Sequence, residues 1–458
     1  MALFLFVTID YLERKILTMR KPQKKTSIPG PRSQEITKME QENLAPGLQG
    51  FALMAGVAME KAQGSWITDV DGNEYIDFIG GIGVNGLGHS HPRYVKALQE
   101  QVAKISVGSF TSEARAKLVK KVAEHTPGNL NQLQLYSGGA EAVESAMRLA
   151  KCYTGKWEFL SFWGGFHGKT LGVMGLLGDG QKQKYGPFAP GSYSLPAYPD
   201  CYRCPLGLQY GSCGMACVEL FRKSAKTQTT GAIAAVLVEP CQGTAGNIIP
   251  PAEWLKAIKE VTKELDALLI CDEMITGFGR TGSFFASEDF QVIPDIITVG
   301  KSFGGGFPVS GVITSKEIAS AEPWAKPSGS SSSYGGNALA ATAALTTIQV
   351  IEDENLCENS RKMGDRLLQH FLRFKEKYPF VGEVRGKGLF LGIELVKDRK
   401  TKEPIEESRM KKFYKDGVAR GLLAMSYKAT MRFQPALTID AETIDSGAAI
   451  LEELFEEI

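Results

Sequence analysis

The chain has 458 residues, with 52 lysines and arginines against 51 aspartates and glutamates. This near-neutral balance argues against a nucleic-acid or membrane-surface partner, which normally requires a basic excess. Hydrophobic residues make up 43% and charged residues 22%, so a disordered or fibrous chain is excluded. The 50 glycines are about 11% of the chain, against ~7% in an average protein. Because they form neither a collagen-like repeat nor a linker tract, they must lie within structured elements.

The chain begins with a short apolar stretch, Met1–Val7, which Asp10, Glu13 and Arg14 follow closely. A signal peptide has its positive charge before the apolar stretch and a small-residue cleavage site after it, and neither is present. No apolar run approaches the ~20 residues that span a bilayer. We therefore expect a cytoplasmic protein with no membrane partner, and we note Met19 as an alternative start.

The residue pattern predicts an N-terminal arm, a hairpin and then alternating helices and strands. Asp71-Gly72, between two alternating segments, is a strong hairpin signal. The predicted helices are Arg93–Ile105, Glu141–Cys152 and Ala338–Ile351, and the predicted strands are Gln132–Tyr136, Ala234–Val238, Ala267–Cys271, Ile296–Val299 and Gly388–Leu395. Such alternation is typical of an α/β fold, with a mostly parallel sheet covered by helices on both faces.

These patterns divide the chain into four predicted segments. Residues 1–45 form an N-terminal arm, and residues 96–345 form a large α/β domain. Residues 46–95 and 346–458 together form a smaller α/β domain.

Three predicted strands end in residues that are able to take part in chemistry. Glu239 follows the first strand, Asp272 the second and Lys301 the third. Ligands of open parallel sheets bind beyond the carboxyl ends of the strands, so neighbouring strands would bring these groups to one crevice. Desolvation would lower the pKa of Lys301 and free its amine to form a Schiff base. The alternative is a solvated surface lysine.

Two further features extend this set of groups. A buried Asp272 needs a partner, which a protonated pyridine nitrogen would be; a helix cap or a pair with Arg280 is the structural alternative. The turn Ser137–Glu141 joins a predicted strand to a helix, where free N–H groups and the helix dipole favour a phosphate. A lysine, an aspartate and a helix start together predict pyridoxal 5'-phosphate as the cofactor.

At these residues the chain resembles the class III aminotransferases, which are fold-type I pyridoxal-phosphate enzymes of the 4-aminobutyrate aminotransferase type. The resemblance runs from Gly64 to Thr438, and Lys301 follows Asp272 by 29 residues, as in the family. Its motifs are DEMITGFGRTG, PDIITVGKSFGGGFP, YIDFIGGIGVNGLGHSHP, SGGAEAVESAMRLA, FHGKT, EPCQG, YGGNALA and RFQPALTI. The resemblance implies a seven-stranded, mostly parallel sheet. It also implies transfer of an amino group from an ω-amino acid, amine or amino acid to pyruvate or 2-oxoglutarate in a ping-pong reaction.

The resemblance also implies the roles of the residues that surround the cofactor. Lys301 forms the Schiff base and then moves the proton between the substrate carbon and the cofactor. Phe166 stacks on one face of the ring and Met274 lies behind the other. The cofactor-binding set is Gly139, Ala140, Phe166, His167, Glu239, Asp272, Met274, Lys301 and Ser333. By the same resemblance, Gly139 and Ala140 bind the phosphate through their N–H groups.

Ser333 resembles the residue that reaches the phosphate from a neighbouring subunit, which implies a homodimer or a higher homo-oligomer with shared active sites. Arg432 resembles the arginine that binds the α-carboxylate of a substrate, a task that suits a bidentate guanidinium. The alternatives are a flexible-loop serine and a surface arginine. Ile82 is expected to line the substrate pocket, although a core position is nearly as consistent with its sequence context.

Four positions depart from the family pattern. Ala140 lacks a hydroxyl found in many relatives, and Lys169 stands where 4-aminobutyrate and ornithine enzymes carry arginine, whose planar fork lysine cannot reproduce. Thr244 replaces a glutamate that gates the carboxylate arginine, and Ile275 replaces a glutamine that contacts the cofactor. These changes favour a pocket for an amine or a hydrophobic donor, with Lys169 among the substrate contacts.

Alternative functions also fit parts of the sequence. Gly392–Pro404 resembles segments of dialkylglycine decarboxylases and amino-acid epimerases, so a racemase, epimerase or decarboxylase on the same scaffold is the second interpretation. Gly81–Gly86 matches G-x-G-x-x-G and leaves an NAD-binding Rossmann oxidoreductase as a remote one, although no acidic ribose partner follows. We expect no metal site, while the spacing of Cys201, Cys204, Cys213 and Cys217 leaves zinc as a minor alternative to reduced thiols.

Overall fold

The computed structural model describes residues 20–458, so Met1–Val7 and the alternative start at Met19 lie outside the described residues. The strands are β1 (Met59–Gln63), β2 (Trp66–Asp69), β3 (Glu74–Asp77), β4 (Gln132–Tyr136), β5 (Glu158–Phe162), β6 (Ser192–Leu195), β7 (Ile233–Val238), β8 (Leu268–Asp272), β9 (Ile296–Val299), β10 (Ser310–Thr314), β11 (Val381–Lys387), β12 (Phe390–Leu395), β13 (Leu422–Leu423) and β14 (Thr430–Phe433).

The longer helices are α1 (Pro31–Gln41), α2 (Gly50–Ala55), α3 (Pro92–Val102), α4 (Glu113–His125), α5 (Gly139–Thr154), α6 (Ala216–Gln228), α7 (Trp254–Glu264), α8 (Ala338–Asp353), α9 (Leu356–Lys377), α10 (Glu407–Ala419) and α11 (Ala441–Phe455). Shorter helical turns cover Gly80–Gly83, Leu171–Met174, Gly180–Lys182, Ala286–Asp289, Lys301–Gly304 and Lys316–Ala319. Within residues 20–458, no helix combines the length and the apolar character needed to cross a bilayer.

Seven strands form the central sheet, in the order β4-β10-β9-β8-β7-β5-β6. β10 runs antiparallel to both of its neighbours, and the other adjacent strands are parallel. Side chains of a strand alternate between the two faces, and β7 shows the consequence. Ala235 and Leu237 pack in the cluster that contains α5, whereas Val236 and Val238 pack in the cluster that contains α6 and α7. The sheet is therefore covered on both faces, which confirms the predicted fold.

Two smaller sheets complete the fold. In the first, of order β1-β2-β3-β13, the C-terminal strand β13 pairs in parallel with β3. The N-terminal and C-terminal parts of the chain therefore share a sheet. In the second, β12 lies between β11 and β14, and both pairings are antiparallel. The domain limits at residues 45, 95 and 345 stay predictions.

The predicted hairpin is present, and it holds the N-terminal segment in place. β2 and β3 are antiparallel, and Gly72 donates its N–H to the Asp69 carbonyl at 3.0 Å in the turn between them. Asn73 Oδ1 accepts from two backbone N–H groups of the segment, at 2.8 and 2.9 Å, and Asp71 accepts from two more at 2.8 Å each. The described part of the arm is thus fixed to the hairpin, and it contains a helix, α1, that the sequence analysis did not predict.

Candidate active site

Three neighbouring strands bring the predicted catalytic groups to one edge of the central sheet. β7, β8 and β9 are adjacent, and their register pairs Val238 with Cys271 and Asp272 with Thr298. A cavity of about 340 Å³ opens at this edge. Its lining residues are Val84, Ser137, Gly139, Ala140, Phe166, His167, Gly168, Asp272, Met274, Lys301, Gly306, Phe307, Pro308 and Val309.

Asp272 is the last residue of β8 and lies in the wall of this cavity with only 2% of its surface exposed. Its carboxylate accepts from His167 Nδ1 at 2.8 Å and from the Met274 N–H at 3.1 Å. A carboxylate can only accept, so His167 carries its proton on Nδ1 in this pair. These two donors satisfy and orient the buried carboxylate, as pairing with a cationic ring nitrogen would require.

Glu239 lies directly after β7 and is buried beside the same cavity, although it does not line it. It accepts from the Phe166 N–H at 2.8 Å and from the Gly243 N–H at 2.9 Å. Burial raises the pKa of Glu239, and the neighbouring His167 opposes this rise while Asp272 adds to it. The Glu239 carboxylate therefore connects two loops by hydrogen bonds, one loop containing Phe166 and the other containing Gly243.

Lys301 begins the helical turn Lys301–Gly304 in a left-handed backbone conformation, with φ of 48°. This conformation costs a non-glycine residue about 1–3 kcal/mol, and such strain clusters at functional sites. Burial lowers the pKa of the Lys301 amine, while Asp272 and Glu239 oppose the shift. The neutral amine is the nucleophilic form of lysine, so the site favours the form that attacks a carbonyl carbon.

The start of α5 supplies donors that fit a phosphate. Gly139 and Ala140 are the first two residues of this helix, so their N–H groups have no acceptor within it. The N–H groups of Ser137 and Gly138 instead donate to Glu141 Oε2, at 3.1 and 3.3 Å. Glu141 thus satisfies the outer donors, and the two that line the cavity remain for a ligand.

The shape of the cavity depends on glycine at two positions. A Cβ atom at Gly300 would lie 2.6 Å from Met274 Sδ, so the residue before Lys301 has no room for a side chain. A Cβ atom at Gly168 would lie 2.5 Å from the Ala140 Cβ, so the turn after Phe166 packs directly on the start of α5. Together with Lys301, Asp272 and the free helix donors, these walls fit pyridoxal phosphate.

Arg432 lies in β14, and its Nη1 donates to the Gly243 carbonyl at 3.2 Å. Burial lowers the pKa of Arg432, while the neighbouring Tyr427 and Glu239 oppose this shift. The positive charge of Arg432 in turn helps to lower the pKa of Lys301. Only one donor of the guanidinium is used by Gly243, so others are left for a substrate carboxylate. Arg432 is not one of the residues that line the cavity itself.

Ile275 fills the space between two loops next to Arg432. A Cβ atom at Gly83 would lie 3.3 Å from Ile275 Cγ1, and one at Gly243 would lie 3.0 Å from Ile275 Cδ1. The side chain is only 4% exposed. Ile275 therefore packs tightly against Gly83 and Gly243, and it does not line the cavity itself.

Besides Glu239 and Arg432, three more of the predicted residues do not line the cavity. Ile82 has a left-handed backbone, with φ of 64°, and its side chain packs against the cluster around Tyr75 and Tyr414, while Val84 lines the cavity. Val84 rather than Ile82 therefore lines this cavity, and a contact of Ile82 with the substrate stays a prediction. Lys169 is exposed, with its Nζ 5.9 Å from the Phe166 ring centre.

Ser333 is also exposed and lies outside the cavity of its own chain. Sequence reasoning missed Val84, Phe307 and Pro308 as lining residues. Only Phe307 and Pro308 carried a signal, since they directly follow the three glycines after Lys301.

The four cysteines of the minor zinc alternative line one small cavity of about 20 Å³. Burial raises the pKa of Cys201 to about 11, and the other three thiols add to this rise. Across residues 20–458, however, no group of three or more histidine, cysteine, aspartate or glutamate side chains is placed so that it could hold a metal ion. All eight cysteines are unpaired. The structure therefore gives no support to a zinc site.

Comparison with known proteins identifies the family. Residues 51–455 match the class III aminotransferases, so the chain belongs to this family. It is 35% identical to leucine/methionine racemase of Thermococcus litoralis, over 88% of this chain and 91% of the relative. It is also 35% identical to 5-aminovalerate aminotransferase DavT of Pseudomonas aeruginosa, over 90% and 96%. A solved structure of an amine transaminase from an uncultivated Pseudomonas species, in a PLP-bound form, is 27% identical and superimposes with a TM-score of 0.84, covering 90% of this chain and 98% of that one.

The enzyme is therefore a pyridoxal-phosphate-dependent aminotransferase. The glycine motif at residues 81–86 does not mark a Rossmann fold: it forms a turn of left-handed residues at Gly81, Ile82 and Gly83. The remote oxidoreductase interpretation is thus wrong.

Proposed function

We propose that the donor amine reacts beside Lys301 and that the carboxylate of the 2-oxo acid acceptor binds Arg432. The observation that carries this proposal is the placement of Lys301, with its lowered pKa, in one cavity with the buried Asp272–His167 pair. Pyridoxal phosphate, when bound, supplies an electron sink that makes the substrate Cα–H bond acidic. With the cofactor bound, Lys301 would hold it until the donor amine displaces the lysine, and the freed lysine amine would then move the substrate Cα proton, while Asp272 would pair with the protonated ring nitrogen.

The other residues of the site position and orient the substrates. The N–H groups of Gly139 and Ala140 hold the phosphate, and Phe166 and Met274 hold the ring between them. The apolar Ile275 packs against Gly243, whose carbonyl accepts from Arg432, and this supports ω-amino acids, amines or hydrophobic amino acids as donors. The similarity to a 5-aminovalerate aminotransferase supports the first of these classes.

We further infer that the enzyme is a homodimer, in which Ser333 completes the phosphate site of the partner. Support comes from exposed apolar side chains in two segments of the chain, one of which adjoins Ser333. Phe110 is 93% exposed and Tyr334 is 64% exposed. The Leu339 N–H donates to the Ser106 carbonyl at 3.1 Å, which brings the two segments together. Exposed apolar patches of this kind mark protein interfaces.

A cytoplasmic location stays a prediction.

Racemisation on the same scaffold is the second candidate, because a leucine/methionine racemase is among the relatives. Inversion at Cα requires proton delivery to both faces of the substrate. Within the described chain, the titratable residues that line the cavity are Lys301, His167 and Asp272, and the last two are bonded to each other. A single free base favours amino transfer over a two-base racemisation. No feature of the structure favours decarboxylation.

The experiment is a donor screen with pyruvate and 2-oxoglutarate as acceptors. Donors are mixed with the cofactor-loaded enzyme, and the cofactor spectrum is followed for the change from its aldehyde form to its amine form. We expect this change with at least one donor, and its reversal by a 2-oxo acid. Lys301→Ala is the control and must be inactive. If the enzyme inverts the configuration of a donor at Cα without this spectral change, the reaction is racemisation and the proposal of amino transfer is wrong.

A further inference from the structure

A buried ionic network lies behind the loop that carries Gly243. At its centre is Glu394 of β12, which is only 1% exposed. Its Oε1 accepts from Arg385 Nη2 at 3.0 Å, and its Oε2 accepts from Arg203 Nη2 at 3.2 Å. The Thr430 hydroxyl donates to Glu394 at 3.1 Å. The buried carboxylate of Glu394 is therefore shared by two arginines and by Thr430, which lies in β14.

Arg385 connects this network to the Gly243–Asn247 loop. Its side chain is 9% exposed, and Nη1 pairs with Glu383 at 2.8 Å. Nε and Nη2 donate to the Gly246 carbonyl at 3.0 and 2.7 Å, and Nε also reaches the Asn247 carbonyl at 3.2 Å. The guanidinium thus uses its fixed fork of donors to hold two carbonyls and two carboxylates at once.

The same loop contacts the active site from its other end. The Gly243 carbonyl accepts from the N–H groups of Gly246 and Asn247, at 3.0 and 3.1 Å, and from Arg432 Nη1 at 3.2 Å. The Gly243 N–H donates to Glu239 at 2.9 Å. Fixing the carbonyls of Gly246 and Asn247 therefore fixes the turn to which Arg432 is bonded.

We propose that Arg385 is a positioning residue for substrate carboxylates: it holds the Gly243–Asn247 loop so that Arg432 presents its donors to the cavity. This inference rests on the proposed role of Arg432. Small displacements of a binding group are costly, because a bidentate pair needs both bonds aligned. The network therefore acts on the binding of carboxylate substrates and leaves the chemistry at Lys301 intact.

The test is Arg385→Lys, because a single ammonium cannot hold four acceptors in a plane. We expect the KM for the 2-oxo acid to rise about tenfold and kcat to change by less than about twofold, the pattern of a lost binding contact. Binding of glutarate, a non-reacting dicarboxylate, should weaken by the same factor in titration calorimetry. A second variant, Gly246→Ala, should displace the same loop, because its Cβ would overlap Thr430 Cγ2 and lie 2.8 Å from Arg385 Nη2.

Arg399→Lys is the matched control. Arg399 lies in the same C-terminal part of the chain and donates to the carbonyls of Val381 and Tyr378, at 3.0 and 2.8 Å, but makes no contact with the loop. The Arg399→Lys variant should leave the KM for the 2-oxo acid and the affinity for glutarate unchanged. A merely structural role of Arg385 would lower the melting temperature and kcat while leaving KM and glutarate affinity unchanged, and would overturn the inference.

Arg432→Ala separates this inference from the proposed function. If its acceptor KM rises tenfold or more while that of Arg385→Lys does not change, the positioning role alone is wrong. If the acceptor KM does not rise in Arg432→Ala, the proposed carboxylate site is wrong, and the positioning inference falls with it.

Discussion

The bond between His167 and Asp272 predicts a specific loss of cofactor affinity on substitution. Asp272 is 2% exposed and has two donors, of which His167 is the closer at 2.8 Å. His167→Leu leaves the carboxylate with only the Met274 N–H, at 3.1 Å. A hydrogen bond to a charged group contributes about 1.5–3 kcal/mol. If this bond aligns the carboxylate with the cofactor, its loss should weaken cofactor binding by about 10- to 150-fold, since about 1.4 kcal/mol corresponds to a factor of ten.

His167→Asn is the matched control, because the amide nitrogen of asparagine can occupy the place of Nδ1. We expect its cofactor dissociation constant to stay within about threefold of the native value, as a donor to Asp272 is kept. The assay is titration of cofactor-free protein with pyridoxal phosphate, followed by absorbance. Equal dissociation constants for the leucine and asparagine variants would refute the reasoning, since they would show that the donor to Asp272 does not matter.

Three further predictions concern titration and thiol state. Burial alone would raise the pKa of Asp445, but bonds from His370 and Arg366 outweigh it and lower the pKa to about 2. The free energy of unfolding should therefore fall as the pH drops from about 4 to about 2, and Asp445→Asn should reduce this fall in urea titrations. Because burial lowers the pKa of Lys301, the unfolded state binds more protons below pH 10.5, so stability of the cofactor-free protein should rise as the pH approaches that value. Lys301→Met should lose this rise; an identical profile would contradict the shift. Since all eight cysteines are unpaired, denatured protein should titrate as eight thiols without reductant.

Much of the central sheet could be predicted because its strands are short apolar runs with charged or turn residues at both ends. β4 and β9 have the predicted limits, Gln132–Tyr136 and Ile296–Val299. The rule that ligands bind at the carboxyl ends of parallel strands was sufficient to group Asp272 with Lys301. The sequence analysis assigned residues 1–45 to an arm and missed α1, although proline is favoured at the first position of a helix and α1 begins at Pro31.

Long-range side-chain contacts were beyond sequence reasoning. His167 and Asp272 are 105 residues apart, and nothing local marks their bond. Arg385 and Glu394 read as ordinary charged residues of a strand pair, and only the fold shows that they are buried behind the Gly243–Asn247 loop. The left-handed turn at Gly81 and Ile82 has no clear sequence signal, so the position of Val84 in the cavity wall was missed.

The central claim is that the amino group leaves the donor and reaches the acceptor through the site at Lys301. The most direct measurement uses a ¹⁵N-labelled donor from the screen with an unlabelled 2-oxo acid, and mass spectrometry of the products. The account predicts that the label appears in the amino acid formed from the acceptor, and that Lys301→Ala abolishes this transfer. If the label stays in the donor while the configuration of the donor inverts, amino transfer is contradicted.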